Sequence, residues 1–150
     1  MQVTQIQIKN IKFNVPLCSA VDQRDIILQL GKYGLEGVIS GLALDRKQAG
    51  SWERFGVVVV AVLLNKMPQN IATDICDKLL KGAKVHDEQL PQNADLEYFS
   101  GHMEDYFELV KEALIHNFKG FFPYLDQIKS SFSGQTESNQ VEKKQTSTQQ

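Results

Sequence analysis

The sequence has few of the residues that usually mark a metal or redox site. Its two cysteines, Cys18 and Cys76, are far apart and match no spacing of a zinc or dithiol motif. Both positions favour small buried apolar side chains, and nothing around them indicates an oxidising compartment. We therefore expect no metal and no cofactor.

Catalytic patterns are also lacking. His116 shares a predicted helix face with Glu112 and Glu108, but no third ligand or partner accompanies them, so a solvated stripe of charges is favoured over a metal site or an acid–base pair. There is no Gly-x-Ser-x-Gly motif, no cysteine with a histidine nearby in sequence, and no glycine-rich phosphate loop. We expect no enzymatic activity.

The chain has neither an excess of charge nor a long apolar run. A net charge of -2 and a pI near 5.9 predict no broad attraction to nucleic acid or anionic lipid. The longest apolar run, Val57 to Leu64, is too short to span a bilayer, and the first ten residues lack the pattern of a signal peptide. We expect a cytoplasmic protein with no nucleic-acid or membrane partner.

The stretch around which the rest of the chain is organised is a long amphipathic helix within residues 99–125. Ser100 is its expected N-cap, and Gly120 with Pro123 is its expected end. Apolar residues recur every three or four positions, which is typical of a face that docks on a core. They are Met103, Phe107, Val110, Leu114, Phe118 and Phe121. The face expected in water carries Glu104, Glu108, Lys111, Glu112 and Lys119.

The segment from Trp52 to Met67 could be read in two ways. Four consecutive valines favour a strand, whereas its length, a cap at Ser51 and a stop at Pro68 favour a helix. We predict a helix, because the rest of the chain offers few strands to pair with. Since it is apolar on all sides from Val57 to Leu64, we expect it to be the buried central helix.

The remaining segments predict a mainly α domain with a short β element. Residues 2–15 alternate between apolar and polar and predict a hairpin, or one bent strand, with a turn at Lys9-Asn10. Further helices are expected to begin at Ser19, at Leu35, at Asn70 and near Tyr124, with breaks at Gly31, Gly34 and Gly82. We expect a loop over residues 83–93 and a turn over residues 94–99.

The composition changes after residue 132. The stretch 133–150 is rich in Gln, Ser and Thr and contains a single apolar side chain, Val141. It cannot bury enough surface to offset its ordering entropy, so we expect disorder. The predicted organisation is a compact helical domain over residues 1–132, with about five to six helices and an N-terminal β-hairpin, followed by a disordered polar tail over residues 133–150.

Four aromatic residues crowd around the end of the long helix. These are Phe118, Phe121, Phe122 and Tyr124, which we call the aromatic cluster. Such side chains either fill the end of a core or are exposed as anchors for a partner, because aromatic residues supply much of the energy at interfaces. The core reading is favoured for Phe118 and for at least one of Phe121 and Phe122. We name all four as candidate partner-binding residues.

The residues ALIHNFKGFF, from Ala113 to Phe122, resemble the tail assembly chaperones of long-tailed bacteriophages and prophages. The likeness in architecture extends over residues 11–125, and it is most specific at Glu112, Ala113, Leu114, His116, Asn117, Phe118, Phe121 and Phe122. It implies binding without catalysis: such chaperones coat the tape measure protein, keep it soluble and help to recruit tail tube subunits. They act in the host cytoplasm and are absent from the mature virion.

The resemblance also implies that this chain is the short, non-frameshifted form, and that a longer form contacts the tail tube protein. The alternative is a small helical phage or bacterial adaptor or regulator that acts by protein–protein binding. A regulator of DNA should show a basic helix, and none is evident. Self-association into a homo-oligomer is compatible with either function.

Overall fold

The computed structural model describes residues 2–33, 51–87 and 90–121, together with Tyr124, Gln127 and Ser131. The chain divides into two compact units, Met1–Asn117 and Phe118–Gln150. The elements in chain order are β1 Val3–Ile8, β2 Ile11–Pro16, α1 Ala20–Tyr33, α2 Ser51–Asn65, α3 Gln69–Leu79, β3 Lys84–Asp87, β4 Leu90–Asn93, a 3₁₀ helix Leu96–Phe99 and α4 Met103–Phe118.

Strands β1 and β2 form the hairpin that the alternating pattern predicts. They pair antiparallel with Ile8 opposite Ile11, so Lys9 and Asn10 are the two turn residues, as expected. Lys9 has a φ of 56°, the left-handed conformation that a two-residue hairpin turn requires at its first position. The inward side chains, buried on one face, are Ile6, Ile8, Phe13 and Val15.

The predicted loop over residues 83–93 is wrong, because β3 and β4 form a second hairpin there. The four strands are antiparallel in the order β1-β2-β3-β4, and buried Phe13 lies opposite buried Val85. Strands of four residues are too short for a clear alternation, and Pro91 argued against one. Proline is compatible with this strand because β4 is at the edge of the described sheet, and no further strand there needs the backbone N–H that Pro91 lacks.

Helices α1 and α3 begin close to their predicted starts. The Ser19 hydroxyl accepts a hydrogen bond from the Asp22 backbone N–H at 3.2 Å. Ile26 and Leu30 of α1 are buried, but Val21, which the same stripe included, is exposed. Gly31 lies inside α1 and does not end it.

Segment α2 is a helix, as predicted, but it is not buried on every side. Phe55, Val59 and Leu63 are buried, whereas the side chains of Val57 and Leu64 on the other side are 53% and 59% exposed. An apolar side chain is buried only where another element covers it, and in the described structure one face of α2 is covered. The prediction of a buried central helix is therefore wrong.

Helix α4 is shorter than predicted and begins at Met103 rather than after Ser100. Asp95 caps the 3₁₀ helix by accepting from the Tyr98 N–H at 3.1 Å, which confirms the predicted turn. Ser100 lies at the end of that 3₁₀ helix, and Gly101 then redirects the chain with a φ of 86°. Val110, Leu114 and Phe118 are buried as expected, whereas Met103 is exposed.

The described residues contain four α-helices, fewer than the five to six expected, and four strands instead of two. The predicted helix from Leu35 to about Leu44 and the polar tail over residues 133–150 lie outside the described residues. Of the predicted last helix only Tyr124, Gln127 and Ser131 are described, and each is helical. In the described parts of the chain, no helix is long and apolar enough to cross a membrane.

Candidate functional site

An apolar groove of about 450 Å³ opens between α2, α3, the 3₁₀ helix and the N-terminal half of α4. We call it the helix groove. It is lined by Leu63, Leu64, Met67, Gln69, Ala72, Thr73, Cys76, Asp77, Leu96, Tyr106 and Phe107. Leu63 and Cys76 are buried, whereas the side chains of Leu64 and Leu96 are 59% and 60% exposed. Contiguous exposed apolar surface of this kind marks interaction sites.

The space exists because α3 turns small side chains toward the groove. Ala72, Thr73 and Cys76 recur at helical spacing on this side of α3. Larger residues at these positions would fill the gap between α2 and α4. Met67, which also lines the groove, has a flexible thioether that adapts to differently shaped neighbours.

Two polar groups in the groove wall, the Tyr106 hydroxyl and the Cys76 thiol, are neutral near pH 7. These two groups influence the pKa of each other. Burial raises the pKa of both groups, and the negative charge of Asp77 raises them further. Among the residues that line the groove, Asp77 alone carries a charge.

A second cluster of side chains joins α2 to α4 around Lys111. This lysine was expected in water, but it is only 5% exposed and pairs with Glu53 of α2 and Glu108 of α4, with Glu112 at 3.8 Å. Burial lowers the pKa of Lys111, but its hydrogen bonds to Glu108 and Glu53 outweigh burial, so the pKa is raised overall. The helical pattern of α4 could not show that α2 lies against this face.

The three carboxylates of Glu53, Glu108 and Glu112 are close enough together to bind one cation. The Lys111 ammonium already lies among them and supplies the positive charge that such a cluster needs. Glu112, which is partly buried, has its pKa raised first by burial and then by repulsion from Glu53. We assign this cluster a role in holding α2 against α4.

Asn117, one of the residues that carry the family resemblance, ties α4 to the start of α1. Its Oδ1 accepts from the Cys18 backbone N–H at 2.9 Å and from Gln23 Nε2 at 3.2 Å. Its Nδ2 donates to the Ala113 carbonyl at 2.8 Å. Cys18 was expected to be buried but is only partly so, and its thiol donates to the Lys78 carbonyl at 3.3 Å. The amide of Asn117 is thus a structural link rather than a surface feature.

The aromatic cluster has members of unequal exposure. Phe118 is the last residue of α4 and is buried. Phe121 is half-buried, and its ring centroid lies 5.8 Å from that of Tyr124, whose side chain is 57% exposed. Phe122 lies outside the described residues. The residues that line the helix groove do not include the three described members, and their role in partner binding stays a prediction.

Sequence reasoning expected a binding groove at the aromatic cluster and missed the residues that line the helix groove, although two signals pointed to them. The segment Val57 to Leu64 has more apolar residues than one buried face can use, and Leu96 is a large apolar residue between two acids. Neither signal says which elements meet. The groove is formed by helices that are far apart in sequence, from Leu63 of α2 to Phe107 of α4, and local periodicity cannot place them together.

Comparison with known protein families identifies a match over most of the chain. A family model described as "Phage tail assembly chaperone protein, TAC" matches residues 9–134. The matched range contains every residue that lines the helix groove. No curated protein and no solved structure matches the chain.

Proposed function

Because this chain belongs to the phage tail assembly chaperone family, as the residues around Asn117 predicted, we propose that it binds the tape measure protein of its phage. Binding keeps this long protein soluble and helps to bring tail tube subunits to it during tail assembly. The chaperone works without catalysis, in the host cytoplasm, and is not retained in the mature virion. A longer form of the chain would contact the tail tube protein.

The helix groove is the observation that carries this proposal. An amphipathic helix binds by laying its apolar side chains into a groove between the helices of its partner. The helix groove has the matching character, with an apolar floor and large exposed side chains at Leu64 and Leu96. Covering these two leucines would contribute about 1–2 kcal/mol each, since both are more than half exposed in the free protein.

We propose the aromatic cluster as a second contact, used for a partner or for self-association into a homo-oligomer. Tyr124 and Phe121 present the accessible rings, and Phe118 is the buried last residue of α4. Replacing Phe121 and Phe122 with serine should abolish partner binding while the circular dichroism spectrum stays helical. Loss of helicity would instead place these residues in the core.

Co-expression with the tape measure protein from the same genome tests the groove. We expect that protein to stay soluble and to co-purify with the wild-type chain. The double variant Leu64→Gln, Leu96→Gln should lose most co-purification, because it removes two apolar contacts, about 1–2 kcal/mol each, while glutamine is accepted in helices. The matched control is Val57→Gln, an equally exposed position of α2 outside the groove.

The control should retain the tape measure protein. Two results would contradict the proposal. The tape measure protein could aggregate in the presence of the wild-type chain, which would reject the chaperone role for this partner. Alternatively, the double variant and Val57→Gln could co-purify equally well, which would place the contact outside the helix groove.

A further inference from the structure

The helix groove is asymmetric in charge. Asp77 lies on α3 among the lining residues and is exposed. The basic residues nearest to it in sequence, Lys78 and Lys81, do not line the groove. Among the described residues, no ion pair forms with Asp77, whereas its neighbour Lys78 is paired with Asp74 at 2.8 Å and with Asp25 at 3.8 Å. The groove thus presents one uncompensated negative charge beside an apolar floor.

The negative charge of Asp77 affects other residues that line the groove. It contributes to the raised pKa of Tyr106 and of Cys76, both of which line the groove. Asp95 and Glu97 flank Leu96, another lining residue, and both are exposed. The local dielectric constant beside an apolar surface is lower than in open water. A cation placed next to a carboxylate there is therefore attracted more strongly than at an ordinary surface.

We propose that the helix groove selects an amphipathic helix that carries a lysine or arginine beside its apolar stripe, with that cation paired to Asp77. The inference rests on the proposed function and names the chemistry of the segment that the groove binds. Charge complementarity of this kind adds specificity and speeds association more than it adds affinity. Arginine fits best, because its planar guanidinium can donate two hydrogen bonds to one carboxylate.

Two synthetic peptides of about 18 residues, or five helical turns, provide the probe. They share one leucine stripe and differ in the residues beside it, which are arginine in one peptide and glutamate in the other. Fluorescence anisotropy with the full chain should give about two- to fivefold tighter binding of the arginine peptide. The difference should shrink at high salt, because the pair is close to solvent.

Substitutions of Asp77 test whether its carboxylate causes the preference for the arginine peptide. Asp77→Asn should bind both peptides equally, and Asp77→Lys should prefer the glutamate peptide. The matched control is Glu104→Gln, which removes one exposed carboxylate outside the groove lining and changes the net charge by the same amount as Asp77→Asn. It should keep the preference of the wild-type chain.

The inference is overturned if the wild-type chain binds both peptides equally, if it binds neither, or if Glu104→Gln loses the preference to the same extent as Asp77→Asn. These results are independent of co-expression with the tape measure protein. A chain that keeps the tape measure protein soluble but shows no preference for the arginine peptide retains its proposed function and lacks the charge selection.

Discussion

At the scale of single residues, Gly56 shows how a tertiary contact overrides local preference. A glycine within a helix such as α2 costs about 0.5–1 kcal/mol relative to alanine. A Cβ at Gly56 would overlap Cγ of Lys111 and would lie 3.2 Å from Cδ1 of Ile115. The missing side chain therefore lets the lysine stem pass and reach Glu53.

We predict that Gly56→Ala destabilises the protein by about 1–3 kcal/mol, because the new methyl group overpacks the α2–α4 contact. Gly31→Ala is the matched control, since Gly31 also lies in a helix and no atom lies within 4 Å of the position that an alanine Cβ would take there. It should stabilise the protein by about 0.5–1 kcal/mol. Urea denaturation measures both, and equal effects would contradict a packing role for Gly56.

At the scale of elements, α2 shows two apolar faces with different roles. One is buried through Phe55, Val59 and Leu63, and the other exposes Val57 and Leu64. The first face stabilises the fold, and Leu64 at the edge of the second lines the helix groove. The sequence presents both faces as equally apolar, so only packing separates them.

Substitutions of two valines in this helix should separate the faces. We expect Val59→Ala to lower the free energy of unfolding by about 1–3 kcal/mol, because it leaves a cavity at a fully buried site. The same change at Val57 should cost less than about 0.5 kcal/mol, as is usual for surface positions. Thermal or urea denaturation measures the difference. A large loss at Val57 would show that this face is covered in the folded protein.

At the scale of the whole molecule, lysine ion pairs connect elements that are far apart in sequence. Lys9 of the first turn pairs with Asp105 of α4 at 3.1 Å, Lys78 of α3 reaches Asp25 of α1, and Lys111 of α4 pairs with Glu53 of α2. The pKa of each lysine is raised. The main cause of the raised pKa is a hydrogen bond to Asp105 for Lys9 and a hydrogen bond to Asp74 for Lys78. For Lys111, burial lowers the pKa, but the hydrogen bonds to Glu108 and Glu53 raise it by more.

These shifts predict a loss of stability at alkaline pH. A raised pKa in the folded state means that the folded chain holds its proton more tightly than the unfolded chain does. The stabilisation is therefore complete below the ordinary lysine value of 10.5 and is lost as the pH rises through the higher folded value. Burial of Tyr106, which raises the pKa of its hydroxyl, acts in the same direction.

We expect the free energy of unfolding to fall above pH 10.5, and to fall less steeply in Lys111→Met, which has no ammonium to titrate at this site. Urea denaturation between about pH 9 and pH 12 measures the slope. Lys12→Met, on the exposed side of β2, is the control and should keep the wild-type slope. Identical slopes in all three proteins would mean that the Lys111 pairs contribute nothing to stability.

Local sequence patterns were sufficient to predict the first hairpin, the helical state of α1, α2, α3 and α4, and the family. Each of these depends on local signals: alternation around Lys9-Asn10, recurrence every three or four residues, and the ALIHNFKGFF stretch that ends at Phe122. Local signals suffice because the backbone conformation of a short segment follows its own side-chain spacing and caps.

Which of these surfaces are covered depends on how the helices and strands pack together. Burial of Lys111, exposure of Leu64, the pairing of β3 with β2 and the helix groove beside Asp77 all require elements distant in sequence to meet. Burying a charge is costly unless oppositely charged or hydrogen-bonding partners are packed beside it, and an apolar side chain is buried only when another element covers it. Those conditions belong to the packing of the whole chain, and no single stretch of the sequence contains them.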